Sequence, residues 1–268
     1  MAITTLTGFS TGAWQQFSYA KSGLPTASAL NNPVFLWFLS AGTPRAGTGA
    51  STLSGTVIDS SDVGAIPFKN PSSGNTYLSK WEMPSPINFA AASALLVDLL
   101  WVSSTLSQVT TTQTINSITF PNRDINGASD GAGVYVALYH NVTYVAPLSA
   151  YTATISYTNS ANAPSRTGTL SQNGGNSTRS YFFSLDDGDV GVKSIQSFTF
   201  SALPGATGTS LLLAFRPIAL LTSVTGSGGM LARESAVTLA APRIYDSSAL
   251  TFFVFNATAQ AGITLSQG

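Results

Sequence analysis

Between residues 185 and 221 the chain passes from one hydrophobic pattern to another, and that change predicts its centre. Ile195-Gln196-Ser197-Phe198-Thr199-Phe200 alternates, with Phe198 and Phe200 on one face and Ser197 and Thr199 on the other. Leu211-Leu212-Leu213-Ala214-Phe215 is apolar on both faces. A period of two marks a strand with one wet face, and a short unbroken apolar run between turn signals marks a strand covered on both. Pro204 and Gly205 lie between the two runs, so a hairpin at the heart of a sandwich or barrel is expected.

The same reading extends outward. Residues 134–139 predict a strand, and over 151–158 Tyr151, Ala153, Ile155 and Tyr157 alternate strictly with Thr and Ser. Residues 166–170 pair back across the turn at 159–165, and 179–185 form a further strand. That makes about six strands in roughly ninety residues, the spacing of a sandwich or jelly roll. Upstream, residues 1–85 read as extended and loop-rich, broken by Pro25, Pro33, Pro44 and later prolines. Strands are predicted there at 34–39 and 76–81, with an exposed small-residue loop at 46–55. Residues 87–102 are predicted as one short helix. Ala90, Ala91, Ala92, Ala94, Leu95, Leu96, Leu99 and Leu100 are good helix formers, Pro86 precedes the first turn, and the apolar residues run round the whole circumference, which implies burial. After 221 a Gly-rich link leads to strands at 237–239 and 250–255. The last is too apolar for a bare edge and is expected to dock on the sandwich, on the N-terminal region or on another subunit. The fold class is therefore all-β. A sandwich or jelly-roll-like core (131–221) is flanked by the extended region 1–85, a helix and linker (86–130) and a strand-bearing tail (222–268).

Composition changes this picture at one point. Of 268 residues, 44% are hydrophobic, ample for a core, but only 8% are Asp, Glu, Lys or Arg, where about 25% is usual. Eleven basic and eleven acidic residues cancel. Soluble domains ordinarily carry mixed charge and avoid neutrality, which keeps neighbours apart. Much of this surface is therefore expected to meet other protein in a permanent assembly. Zero net charge argues against a nucleic-acid partner, which needs clustered basic groups. No apolar run reaches the ~18 residues of a membrane helix, so no membrane partner is expected. The N-terminus lacks the basic start and apolar stretch of a signal peptide, and cysteine is absent. Synthesis in the cytoplasm, without disulfides or thiolate metal sites, is the simplest expectation.

Candidate chemistry is sparse. Asp186, Asp187 and Asp189 beside Gly188, and Asp124 with Asn126 and Asp130, offer oxygen ligands of the kind Ca²⁺ takes. Neither loop has EF-hand spacing, and Asp and Asn favour turns by bonding nearby backbone. Both are read as turns, with Ca²⁺ the alternative, and no cofactor is expected. His140 is the only histidine and would have to serve any Ser-His-Asp hydrolase. Gly127-Ala128-Ser129-Asp130-Gly131 matches Gly-x-Ser-x-Gly but lies in an Asp- and Asn-rich turn segment and not between a strand and a helix, so His140 is read as a strand-end surface or packing residue. Glu82 and Glu234 are the only glutamates, which leaves little for a paired-carboxylate glycosidase. Trp14, Trp37, Trp81 and Trp101 could stack on sugars, but core or interface burial is the expected fate of such rings.

Four pieces in order carry a family resemblance: Val63-Gly64-Ala65-Ile66-Pro67-Phe68 with Asn70-Pro71 and Thr76-Tyr77-Leu78; the segment ending Leu99-Leu100-Trp101; Ala153-Thr154-Ile155-Ser156-Tyr157-Thr158-Asn159; and Gly188-Asp189-Val190-Gly191-Val192-Lys193-Ser194-Ile195-Gln196-Ser197 followed by Arg216-Pro217. Over residues about 60 to 221 the chain resembles virion structural proteins of tailed bacteriophages and prophages. The resemblance implies a non-enzymatic particle component. It would be a head decoration or cement protein that contacts the major capsid protein or another virion protein as a dimer or trimer. A carbohydrate-binding or host-attachment module on the virion is the alternative, and a hydrolase such as a depolymerase the third.

Overall fold

The computed structural model describes residues 15–21, 33–39, 42–70, 74–84, 93–140, 149–172, 179–204, 209–222, 231–235, 242–255 and 261–267. In chain order its strands begin with β1 (Gln15–Lys21), β2 (Val34–Phe35), β3 (Gly42–Thr43), β4 (Thr56–Val57), β5 (Thr76–Pro84) and β6 (Ser93–Val102). They continue with β7 (Gln113–Thr114), β8 (Tyr135–His140), β9 (Tyr151–Asn159), β10 (Arg166–Gln172), β11 (Ser180–Phe182) and β12 (Val192–Phe200). The rest are β13 (Ser210–Thr222), β14 (Leu231–Ser235), β15 (Arg243–Ile244), β16 (Leu250–Phe255) and β17 (Ala261–Gln267). A single 3₁₀ turn, Leu36–Phe38, follows β2. Among the described residues no helix is long and apolar enough to cross a membrane.

The fold is an all-β sandwich, as its hydrophobic patterning predicts. One layer is a sheet in the order β10-β9-β12-β7. The other runs β11-β8-β13-β6-β16-β2, with β4 added to β6. Tyr151, Ala153, Ile155 and Tyr157 of β9 point inward, as do Phe198 and Phe200 of β12. They pack on Val136 and Leu138 of β8 and Leu212 and Ala214 of β13. The opposite face of the larger sheet is also covered, because Leu99, Leu213, Phe215 and Phe253 pack under Phe35, Trp37, Ile58 and Ala65 from the N-terminal third. The 46–55 loop crosses this layer with its outer side exposed. Trp101 Nε1 donates to Ser54 O (2.8 Å), and at Gly55 (φ +79°) a Cβ would stand 2.1 Å from the same indole nitrogen, so only glycine fits. A further sheet joins β14, β5, β17, β1 and β3, with β15 on β5.

Two expectations are corrected. The helix predicted over 87–102 is strand β6 from Ser93 onward; residues 87–92 lie outside the described ones. β6 sits between β13 and β16 and is covered on both faces. Apolar residues on both faces of a strand and apolar residues all round a helix give the same unbroken run. The hairpin expected from 195–215 is not formed either. β12 belongs to the smaller sheet and β13 to the larger, so the two meet across the core instead of hydrogen bonding side by side. The tail strand β16 docks on β6 and, through Phe253 opposite Phe35, on β2 of the N-terminal region. The strand expected at 237–239 and the side chains of Trp14 and Trp81 lie outside the described residues.

Candidate functional site

A cluster of three charges lies inside the molecule. Asp98, fully buried on β6, faces Arg216 in the β13 register and also meets Arg123 from the segment after β7. Its Oδ1 lies 3.3 Å from Arg123 Nη2 and its Oδ2 3.4 Å from Arg216 Nη2. Ser248 Oγ donates to Oδ2 (2.6 Å) and the Ala249 amide to Oδ1 (2.9 Å). Arg123 further donates to the carbonyls of Ile58 (2.6 Å), Leu99 (3.0 Å) and Ser247 (2.5 Å). Burial pulls the Arg123 pKa down, and the Asp98 charge opposes that shift. One carboxylate and two guanidiniums thus clip three loops, through Ile58, Arg123 and residues 247–249, onto the β6–β13 ladder. With Asp98 at 0% exposure, no substrate reaches the group. The sequence showed Asp98 only as a charge interrupting an apolar run; Arg123 and Arg216 were not visible as its partners.

The first acidic loop is a turn tied to the neighbouring sheet. Asp189 N–H donates to Asp186 O (3.1 Å) around Gly188. The Asp189 carboxylate accepts from Tyr157 Oη (2.6 Å), Asn159 Nδ2 (2.6 Å) and Arg166 Nε (3.0 Å). The bond from Tyr157 leads in holding the Asp189 carboxyl below its usual range, and burial with that same bond pushes the Tyr157 phenol up to about 12. Asp186 Oδ2 accepts from the Thr167 amide (3.2 Å), while Asp187 contributes its backbone carbonyl to Arg166 (3.4 Å). In the second loop Asp124 is buried and its Oδ1 accepts from the amides of Asn126 and Ala128, both at 2.8 Å. Asp130 stands apart from Asp124, paired with Lys193 (3.3 Å). The Asp124 loop thus carries the local side chain-to-backbone bonds of turn chemistry, while the carboxylates of the 186–189 turn reach across to β9 and β10. Among the described residues no three His, Cys, Asp or Glu side chains gather as a metal set.

His140 is packed, not at the surface. Its Nδ1 lies 2.8 Å from Ser210 Oγ and its Nε2 2.5 Å from Tyr151 Oη, all three buried. Burial lowers its pKa to about 3, so the ring is neutral at pH 7. A serine beside a histidine is present, with both residues at 0% exposure. Trp37 and Trp101 are buried and offer no sugar platform. In the backbone register Glu82 stands opposite Arg233, and Glu234 opposite Trp81. A shallow recess of about 340 Å³ between Phe38, the 47–50 loop, Thr105 and Leu211 has no titratable side chain in its wall.

What the surface does offer is a plane of hydroxyls. Along the middle of β10, β9 and β12 two outward rows are Thr or Ser and stand in register, while Arg166 and Lys193 lie at the turn end and Gln196 at a bulge in β12. Thr169 is opposite Thr154 and Thr154 opposite Thr199; Thr167 is opposite Ser156 and Ser156 opposite Ser197. Thr167 and Thr169 are exposed, and the other four are half-buried by their neighbours. The alternation in 151–158 and 195–200 already marked most of these as solvent-facing.

No protein-family model matches the sequence, and no curated protein matches it, so the tailed-phage family expected from residues about 60 to 221 has no counterpart in either comparison. Among solved structures the chain has weak similarity to one of infectious bursal disease virus, Gx strain. That match has 11% identity over 95% of this chain and 80% of that one, with a TM-score of 0.22. The VP2 subviral particle of infectious bursal disease virus matches at 8% identity over 95% of this chain and 79% of that one, with a TM-score of 0.20. Likeness at TM-scores this low identifies no shared role.

Proposed function

We propose that this protein is a non-enzymatic structural component of a virion, and in its finer form a decoration or cement subunit that stabilises the head of a tailed phage. The observation that carries the reading is where the few charges go. Of eleven acidic and eleven basic residues, Asp98, Arg123, Asp124, Arg179 and Arg216 lie inside. At most seventeen (22 less these five) of the charged residues are therefore left for the outer face of a chain of 268. A neutral Ser, Thr and Asn surface is cheaper to dehydrate against protein than a charged one. It also lacks the mutual repulsion that keeps free molecules dispersed. The resemblance of residues about 60 to 221 to virion proteins points the same way. The groups that could do chemistry, His140 with Ser210 and the Asp98 cluster, serve as internal ties. The partner is a major capsid protein or another virion protein, and the place is the particle.

The experiment is deletion and rescue. Particles assembled without this protein are expected to lose their contents at lower temperature, and adding the purified protein back is expected to restore the wild-type release temperature. Particles that release at the same temperature with and without it contradict the reading. Glycan binding by the purified protein, with no effect on particles, would favour the attachment module instead.

A further inference from the structure

Resting on the structural reading above, we infer that the hydroxyl plane of the β10-β9-β12 face is a joint to a second copy of this chain. Three properties single out a copy as the occupant. A hydroxyl donates and accepts, so a sheet of hydroxyls is complementary to itself under a two-fold axis; a face of donors alone or acceptors alone is not. The rows Thr169–Thr154–Thr199 and Thr167–Ser156–Ser197 contain no charged side chain, so two copies meet without like charges opposed and a strongly charged partner finds no counter-charge. Among the described residues the nearest charges lie at the turn end and are already paired: Arg166 with Asp186 and Asp189, Asp186 also accepting from the Thr167 amide, and Lys193 with Asp130. Finally, short side chains lose little freedom when they are ordered, and β-branched Thr is stiff from the start.

The size of the plane decides how strong the joint is. Two rows across three strands, with strands spaced ~4.8 Å apart and rising ~3.3 Å per residue, make a face of roughly 190 Å² in plan. A standard interface takes about 800 Å² from each partner. The pair is therefore weak in free solution. It becomes permanent where a particle holds many copies at high effective concentration.

Sedimentation equilibrium on the purified full chain, from micromolar to near-millimolar protein, tests this. The wild-type mass is expected to rise toward twice that of the chain. Thr154→Lys and Thr169→Lys, each with an unchanged thermal unfolding curve, are expected to weaken association at least tenfold. Val63→Lys, on an exposed loop residue outside these rows, is expected to leave it unchanged. An equimolar mixture of Thr154→Lys and Thr154→Glu proteins is expected to recover it. A wild-type chain that stays monomeric throughout overturns the joint, as does a Lys variant that associates like the wild type. So does a monomer that holds a polysaccharide which Thr154→Lys releases. These results leave the virion role to be judged separately by the rescue of deleted particles.

Discussion

Asp98 is the residue on which most of the interior polar order converges, since its two oxygens hold Arg123, Arg216, Ser248 and the Ala249 amide. Removing one member of a buried ion cluster leaves the others charged without compensation, at a cost of about 3–5 kcal/mol. Asp98→Asn is therefore expected to lower the chemical denaturation midpoint by that amount of stability. Replacing Asp98, Arg123 and Arg216 together by Leu, Met and Met should recover part of it, because the cluster then holds no uncompensated charge, although the carbonyls of Ile58, Leu99 and Ser247 lose their donor. His140 makes a different prediction. Its folded pKa of about 3 lies below the ordinary histidine value of 6.5, so the native state resists protonation while the unfolded chain accepts it. The contribution is complete above pH 6.5 and is lost as pH falls toward 3, by up to ~1.4 kcal/mol per unit and so about 2 kcal/mol at pH 5. Thermal unfolding at pH 7 and pH 5 checks this. The wild type should lose more than His140→Gln, whose amide can still bond Ser210 and Tyr151 but does not titrate.

At the scale of elements, the segment that opens β12 is stitched to the one that opens β8. Gly133 N–H donates to Val190 O (2.8 Å) and Val192 N–H to Val134 O (3.0 Å). Gly131 has φ +82°, and a Cβ there would stand 2.2 Å from the Val192 carbonyl oxygen. Gly131→Ala is expected to cost about 1–3 kcal/mol, read as a lower unfolding midpoint, with hydrogen exchange rising first at Val192 and Val134. Elements with one wet face were legible in the sequence: β9 is found at Tyr151–Asn159 against an expected 151–158, because solvent on one side imprints a period of two. β6 was misread as a helix because full burial erases that imprint. Burial patterns also report only which faces are dry and never which strand lies alongside, so β12 and β13 looked like partners while occupying different sheets. The Asp98 cluster was hidden for the related reason that Asp98 and Arg216 are 118 positions apart. The turn at Asp186–Asp189, closed by the short-range bond from Asp189 N–H to Asp186 O, was legible in the sequence, but the bonds from its carboxylates to Tyr157, Asn159, Arg166 and Thr167 were not.

For the whole molecule, the governing fact is a well-filled two-layer core beneath an outside with few charges. An interface made from such a surface gains little from Coulomb attraction, so salt has little to screen. The account therefore predicts that attachment to the particle survives ionic strengths that strip proteins bound by surface charge. The most direct measurement is quantitative mass spectrometry of gradient-purified particles washed at ~0.1 M and at ~1 M salt, where the Debye length falls from about 10 Å to about 3 Å. The predicted result is this chain at a fixed copy number relative to the major shell subunit, unchanged between the two washes. Its absence from the particles, or its loss at the higher salt, would contradict the claim that a neutral β surface is held permanently against other virion protein.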